Sequence, residues 1–258
     1  MLILLPPSEG KSAPRRGKPL DEASLSFPVL TEARNAVRDA LTDLCAGDPE
    51  RAADVLALSA GQRDLVDLNA RHESAATARA DRVYAGVLYE ALGFDTLSPA
   101  AKRRAGTRVA VTSSLFGMVR PGDRIPAYRL SGDTSLPGLG PVAGVWRAAL
   151  GAAVAEAMGS GLLVDLRSGM YAAFWRPPAE LGRRVATVRV LHEVDGKRQV
   201  VSHFNKATKG RIVRDLLEDG RDPRSPAKLA ELLTDLGWTV EVEAGPKGTR
   251  LDVIVSEI

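Results

Sequence analysis

The residues Glu9-Gly10-Lys11-Ser12 follow directly on an apolar run, Met1 to Leu5. A Gly-Lys-Ser after a buried strand is how a nucleotide-phosphate loop ends, with backbone amides and a lysine cradling phosphate. The full loop needs a glycine five residues before Gly10, where this chain has Leu5. It also needs an immediate helix, and Pro14 and Pro19 interrupt any helix begun at Ser12. An ATP-hydrolysing loop is therefore excluded. What remains is one cation and two hydroxyls at the end of a strand.

Two further strand ends carry polar groups. In LLVDLRSGMY, residues 162–171, an apolar strand ends in Asp165, Arg167, Ser168 and Tyr171. Such a cluster suits a site, with Lys11, Asp165, Ser168 and Tyr171 as candidate catalytic groups for proton transfer or glycosidic chemistry. Asp165 and Arg167 pairing with each other to finish the strand is the competing reading. The second end is Ser113-Ser114, followed by Gly117, Arg120, Tyr128 and Arg129. Guanidinium is the preferred fork for phosphate oxygens.

Basic residues gather locally. Residues 102–129 hold seven Lys or Arg (Lys102, Arg103, Arg104, Arg108, Arg120, Arg124, Arg129) against one acid, Asp123, although the whole chain of 258 residues carries only +3. Lys11, Arg15, Arg16 and Lys18 form a second group, and Lys206, Lys209, Arg211 and Arg214 a third. If the fold unites them they make an anion-binding face; otherwise they are solvated surface. The three histidines, His72, His192 and His203, have no metal-ligand spacing, and Cys45 is the only cysteine. No metal site, disulfide or cofactor is expected, and direct iron binding has no donor set. No run approaches the ~20 apolar residues of a spanning helix. The expectation is a soluble, cytoplasmic monomer.

The elements that must position these groups follow from patterning. Residues 1–5 read as a buried strand stopped by Pro6-Pro7, and residues 6–28, with five prolines, as a long loop. Residues 30–82 read as helices broken at Gly47-Asp48-Pro49, residues 84–92 as another, and Ser98-Pro99 as a helix start. Strands are expected at 108–113 and 162–166, and a helix at 142–158. Residues 185–194 and 199–204 read as a hairpin about Asp195-Gly196, which places His192 and His203 on its strands. Helices follow at 206–218 and 226–236, then a closing hairpin over 239–255. The fold class is α+β: a single compact mixed domain over 1–258, with a central sheet and flanking helices. A doubly wound nucleotide fold would alternate strand and helix throughout.

Taken together, SSLFGMVRPGDRIPAYRL, VDLRSGMYAAFW and SHFNKATKGRIVRDLL, with the N-terminal strand and its Pro and Lys, resemble the YaaA family of bacterial peroxide-stress proteins. The resemblance spans residues 2–217. At the strand end the family pattern reads Asn-Leu-Ala-Ser-x-Glu-Tyr. Here Asp165, Arg167 and Met170 stand for the Asn, Ala and Glu, so the obvious family acid is absent. The resemblance implies a positively charged cleft that binds double-stranded DNA, or other nucleic acid, without strong sequence preference, in the peroxide stress response. It implies a helix-hairpin-helix element, placed here near 206–236, and no cofactor. The DNA-binding residues expected on this basis are Lys11, Arg120, Tyr128, Arg129, Arg167, Lys206, Lys209, Gly210, Arg211, Arg214, Arg221 and Arg224. Asp215, Glu218, Asp219 and Asp222 offset the arginines beside them. An enzyme acting on a nucleobase, nucleotide or damaged DNA in the same cleft is the alternative.

Overall fold

A computed structural model describes residues 1–194, 197–245 and 248–256. Eight strands build its main sheet: β1 Leu2–Leu5, β2 Val109–Ser113, β3 Gly117–Val119, β4 Leu163–Asp165, β5 Val185–Val194, β6 Lys197–Gln199, β7 Thr239–Gly245 and β8 Gly248–Val255. Their order is β7-β8-β5-β4-β1-β2-β3, with β6 paired to β5. The helices are α1 Thr31–Ala46, α2 Pro49–Val55, α3 Asp64–Ala70, α4 Ala80–Val83, α5 Val87–Leu92, α6 Pro99–Arg108, α7 Val142–Met158, α8 Gly169–Ala172, α9 Ser202–Asp219 and α10 Pro226–Asp235.

β1 lies inside the sheet, next to its middle strand β4. β1 runs parallel to β2 on one side, with Ile3 opposite Val109, and to β4 on the other, with Leu4 opposite Asp165. β4–β5 and β5–β8 are also parallel. Parallel strands covered on both faces read as continuous apolar runs, which is why LILL carries no polar alternation. All four of its residues are buried. The edges are antiparallel, β3 on β2 and β7 on β8. The result is the expected mixed sheet flanked by helices, with a parallel centre that no local pattern announces.

Helix starts obey their capping chemistry. Ser98 accepts from the Ala101 amide at 3.2 Å ahead of α6, and Ser225 from Lys228 ahead of α10. Asp48 caps α2, with Pro49 at its first position. Two expectations need correction. Residues 199–204 do not form a second hairpin strand: β6 stops at Gln199, and α9 begins at Ser202, with the Asn205 amide bonded to the Val201 carbonyl at 2.8 Å. Extending an existing helix costs only one residue per bond, so α9 takes the segment and His203 with it. The Asp195-Gly196 turn lies outside the described residues. The helix expected from Tyr84 starts later, at Val87, because Tyr84 is extended and bridges Lys11.

The core is one continuous apolar cluster, from Leu2 and Ile3 through Trp146 and Phe174 to Leu251 and Val253. α9 lies against α5 at a close approach made by Gly210. A Cβ there would sit 2.2 Å from the Leu88 carbonyl oxygen.

Candidate functional site

Because β1, β2 and β4 are parallel, their carboxyl ends open on the same edge of the sheet. β1 has a neighbour on each side, and the chain leaves these ends in different directions. Open parallel sheets bind ligands outside these carboxyl ends.

From β1 the chain enters Ser8–Ser12. The Ser8 hydroxyl accepts from the Ala85 amide at 3.1 Å and donates to the Gly10 carbonyl at 2.6 Å. The Ser12 amide donates to the Val83 carbonyl at 2.9 Å. These bonds hold the loop against the α4–α5 connection. Lys11 Nζ donates to the Ser8 carbonyl at 2.9 Å and lies 4.0 Å from the Tyr128 ring centroid and 5.9 Å from that of Tyr84. Burial brings the Lys11 ammonium down to about 7; Glu9 opposes this and Arg129 adds to it.

Tyrosines form the walls. The Tyr128 hydroxyl shares hydrogen bonds with Ser113 Oγ at 2.8 Å and with the Tyr84 hydroxyl at 3.1 Å. Tyr89 stacks on Tyr84, centroids 5.5 Å apart, and donates to the Pro6 carbonyl at 2.7 Å. Burial raises the hydroxyls of Tyr84, Tyr89 and Tyr128, so these walls stay neutral. The mouth is charged. Glu9 pairs with Arg129 and accepts from the Tyr171 hydroxyl at 3.4 Å. The Glu9 side chain is 51% exposed and that of Arg129 only 18%. Asn69 fixes Arg129 from both ends of its amide, accepting from the Arg129 N–H at 2.9 Å and donating to its carbonyl at 2.8 Å. Ser114 donates to the Leu130 carbonyl at 2.5 Å and also lies against the Tyr128 hydroxyl, where it opposes the upward pull of burial.

At the end of β4, Asp165 and Arg167 form a buried bidentate pair, Nε to Oδ1 at 2.9 Å and Nη2 to Oδ2 at 2.8 Å. Arg167 also donates to the carbonyls of Tyr171 at 3.3 Å and Trp175 at 2.9 Å. Its fork is filled by the protein, and Asp165 is its counter-charge rather than a free acid. Lys209, from α9, reaches the same strand end and donates to the Leu166 carbonyl at 2.9 Å. Burial lowers its ammonium, with Asp165 opposing. Ser168 is exposed beside it, and Lys206 is exposed one helical turn before Lys209.

The remaining expected contacts lie elsewhere. Arg120 donates to the carbonyl of Val109, the first residue of β2, at 3.1 Å and covers the Phe27 ring. Arg214 terminates α5, donating to the Leu92 and Gly93 carbonyls and to Thr96. Gly210 serves helix packing. Arg211 is exposed on α9. Arg221 pairs with Asp219 and Asp235, and Arg224 with Asp222. Asp222 also holds the Met1 amino group at 2.6 Å, which puts this group at the opposite, amino end of β1. Two helices do flank the connector 220–225, but its backbone is occupied. Arg104 and Arg108 cap the carbonyls of Leu217, Glu218, Gly220 and Arg221, and the Arg221 amide donates to Asp219. A shallow depression of about 410 Å³ lies here, and its cations Arg221, Arg224 and Lys228 are each in an ion pair.

Patterning did not single out Asn69, Tyr84 or Tyr89. Nothing local marks them, since each acts through residues more than forty positions away. Arg34, fully buried, was also invisible; it donates to the carbonyls of Phe116, Ser26 and Met118 and so shapes the turn after β2. Among the described residues no cluster of three or more His, Cys, Asp or Glu gathers as metal ligands do, and no helix is long and apolar enough to cross a membrane.

Comparison with known proteins gives this chain relatives along its whole length. A family profile described as Peroxide stress protein YaaA matches residues 1–244. A UPF0246 protein of Streptomyces coelicolor is 54% identical over 261 aligned residues, covering 100% of both chains. One from Corynebacterium efficiens is 43% identical and covers 98% of this chain and all of its own. An uncharacterized protein of Campylobacter jejuni is 28% identical over 81% of this chain.

Proposed function

The chain belongs to the YaaA family of peroxide stress proteins, and from that premise we propose that it acts on nucleic acid at the carboxyl ends of β1, β2 and β4. The partner in this reading is duplex DNA, held by its phosphates without regard to sequence by a single-domain, cytoplasmic monomer. The observation that carries it is the placing of Lys11 and Lys209 at the carboxyl ends of the neighbouring strands β1 and β4. They come from separate elements to adjacent strand ends, and Lys206 stands exposed one turn away. Arg129 stands at the same mouth as Lys11, through Glu9. The arginines of the 220–225 connector are left out, because carboxylates already neutralise them.

Phosphate neutralisation releases counterions, so log affinity falls with log salt by about 0.9 per phosphate contacted. Anisotropy of a labelled duplex over a salt series tests the reading. Lys206→Ala and Lys209→Ala should each lower the slope by roughly one. Arg221→Ala and Arg224→Ala should leave it unchanged. A flat salt response overturns the reading, as does a slope that answers only to Arg221 and Arg224.

A second reading, an enzyme on a nucleobase, nucleotide or damaged DNA at the same strand ends, is favoured by one observation. The Lys11 amine is held near 7 beside a carboxylate, the condition of a group that exchanges protons or attacks carbon at neutral pH.

A further inference from the structure

We propose that Lys11 is a nucleophilic amine that forms an imine with an aldehyde carried on a base-less or oxidised sugar of a nucleic-acid strand. This deepens the preceding reading and rests on it for the substrate.

Lys11 shares its bonding to backbone carbonyls with Lys209, and differs from it in lying against tyrosine rings. Its amine stands over a tyrosine face, 4.0 Å from the Tyr128 centroid, and its hydrogen bonds go to two backbone carbonyls, Ser8 at 2.9 Å and Glu9 at 3.4 Å. No carboxylate binds it directly. Backbone carbonyls stabilise an ammonium far less than a carboxylate does, and burial outweighs the pull of the Tyr128 ring face on a cation, so the neutral amine is favoured there. By contrast, the ammonium of Lys228 is exposed and paired with Glu231 at 2.6 Å. Beside Lys11, the Glu9 carboxylate is steadied by Arg129 and the Tyr171 hydroxyl while staying half open to solvent. That supplies a proton acceptor and donor within the same turn of chain. The approach from outside is also open: Gly10 and Ser12 on either side of Lys11 are exposed.

In the reaction, the Nζ lone pair forms a C–N bond to the aldehyde carbon as the carbonyl π electrons move to oxygen. Glu9 takes a proton from nitrogen, and the oxygen gains one, giving a carbinolamine. Glu9 then returns its proton to the hydroxyl, the C–O bond breaks and water leaves as the nitrogen lone pair forms the C=N bond, and Glu9 takes the second proton from nitrogen. The sum is amine plus aldehyde to imine plus water, with no oxidant or reductant. The duplex phosphates would be met by the cations around these strand ends while the aldehyde reaches Lys11.

The test is reductive trapping. The full chain is incubated with a duplex bearing one base-less site and sodium cyanoborohydride, and adducts are read on a denaturing gel and mapped by mass spectrometry. The adduct is expected on Lys11, to form at least tenfold less with Lys11→Arg or Lys11→Ala, to slow with Glu9→Gln, and to be absent with an intact duplex. Its rate should rise with pH to a plateau just above neutrality. Lys228→Ala should trap as the unaltered chain does, and circular dichroism shows whether each variant folds. Labelling of Lys11 no faster than Lys228 overturns the proposal, as does full trapping by Lys11→Ala. If duplex binds by anisotropy but no Lys11 adduct forms, the imine is wrong and duplex binding stands. If glycolaldehyde labels Lys11 but the base-less duplex neither binds nor labels it, the nucleic-acid assignment is wrong for both readings.

Discussion

The two ends of the parallel sheet carry similar numbers of cations and use them differently. At the amino end, Arg221, Arg224 and Lys228 each meet a carboxylate a few residues away, and Arg104 and Arg108 cap the end of α9. That end is closed by local ion pairs together with the long-range caps of Arg104 and Arg108. At the carboxyl end, Lys11 and Lys209 are bonded to backbone carbonyls, and Arg129 answers a carboxylate that is itself half exposed. A count of positive charge along the chain treats the two ends alike. What separates Lys11 and Lys209 from Arg221, Arg224 and Lys228 is whether a carboxylate has already claimed the cation.

The comparison is most easily broken at Arg167. It anchors the carboxyl end through a buried pair with Asp165, and removing one member leaves a charge buried without its partner. Arg167→Ala should cost about 3–5 kcal/mol in urea unfolding. A loss below ~1 kcal/mol would mean that the end of β4 is held by something else.

Lys11 sharpens the comparison through pH. Its amine is near 7 in the folded chain and near 10.5 when unfolded. Between those values the unfolded chain binds more protons, so this group's penalty shrinks as pH rises and is largest below about 7. Lys11→Met should therefore stabilise the protein at pH 6, by about 2–3 kcal/mol once solvent contact is discounted, with the gain fading toward pH 10. Melting curves across pH check it; a gain independent of pH would show that the charge is not the cause. A site that lowers stability for the sake of an amine is what chemistry at this position requires.

The smallest effect belongs to the amino end. Arg221→Ala removes an exposed, doubly paired guanidinium and should move the melting temperature by no more than ~1 °C. A large drop would show that the connector matters to the fold in a way its exposed ion pairs do not suggest.

Local chemistry made much of the fold legible. LILL before Pro6-Pro7, the Ser98-Pro99 helix start and the small-residue helix α7 all appear where their residues direct. The acids beside Arg221 and Arg224 also warned, in sequence, that those cations are spoken for. The parallel centre was hidden, because a short buried strand looks the same whichever direction its neighbours run. Half of the site was readable too: Lys11, Tyr128, Arg129, Tyr171 and Lys209 stood out by type and place. Tyr84 did not, since its helical surroundings disguise a residue whose backbone is drawn out to meet Lys11. Arg167 reads in sequence either as a phosphate ligand or as the partner of Asp165; the tertiary structure turns its donors onto Asp165 and adds the Tyr171 and Trp175 carbonyls, which no local pattern announces. Ligand and counter-ion are the same residue type, told apart by what comes near.

The interior place of β1 has a bearing on how the molecule is made. Leu2 to Leu5 leave the ribosome well before their partners: Ile3 must wait for Val109, and Leu2 for Leu163, before both edges of that strand are covered. Contacts of such long sequence separation form late and slowly. Until then a bare, wholly apolar tetrapeptide is available to the wrong partner, so nascent chains halted before residue 163 should depend on chaperones far more than the finished protein does.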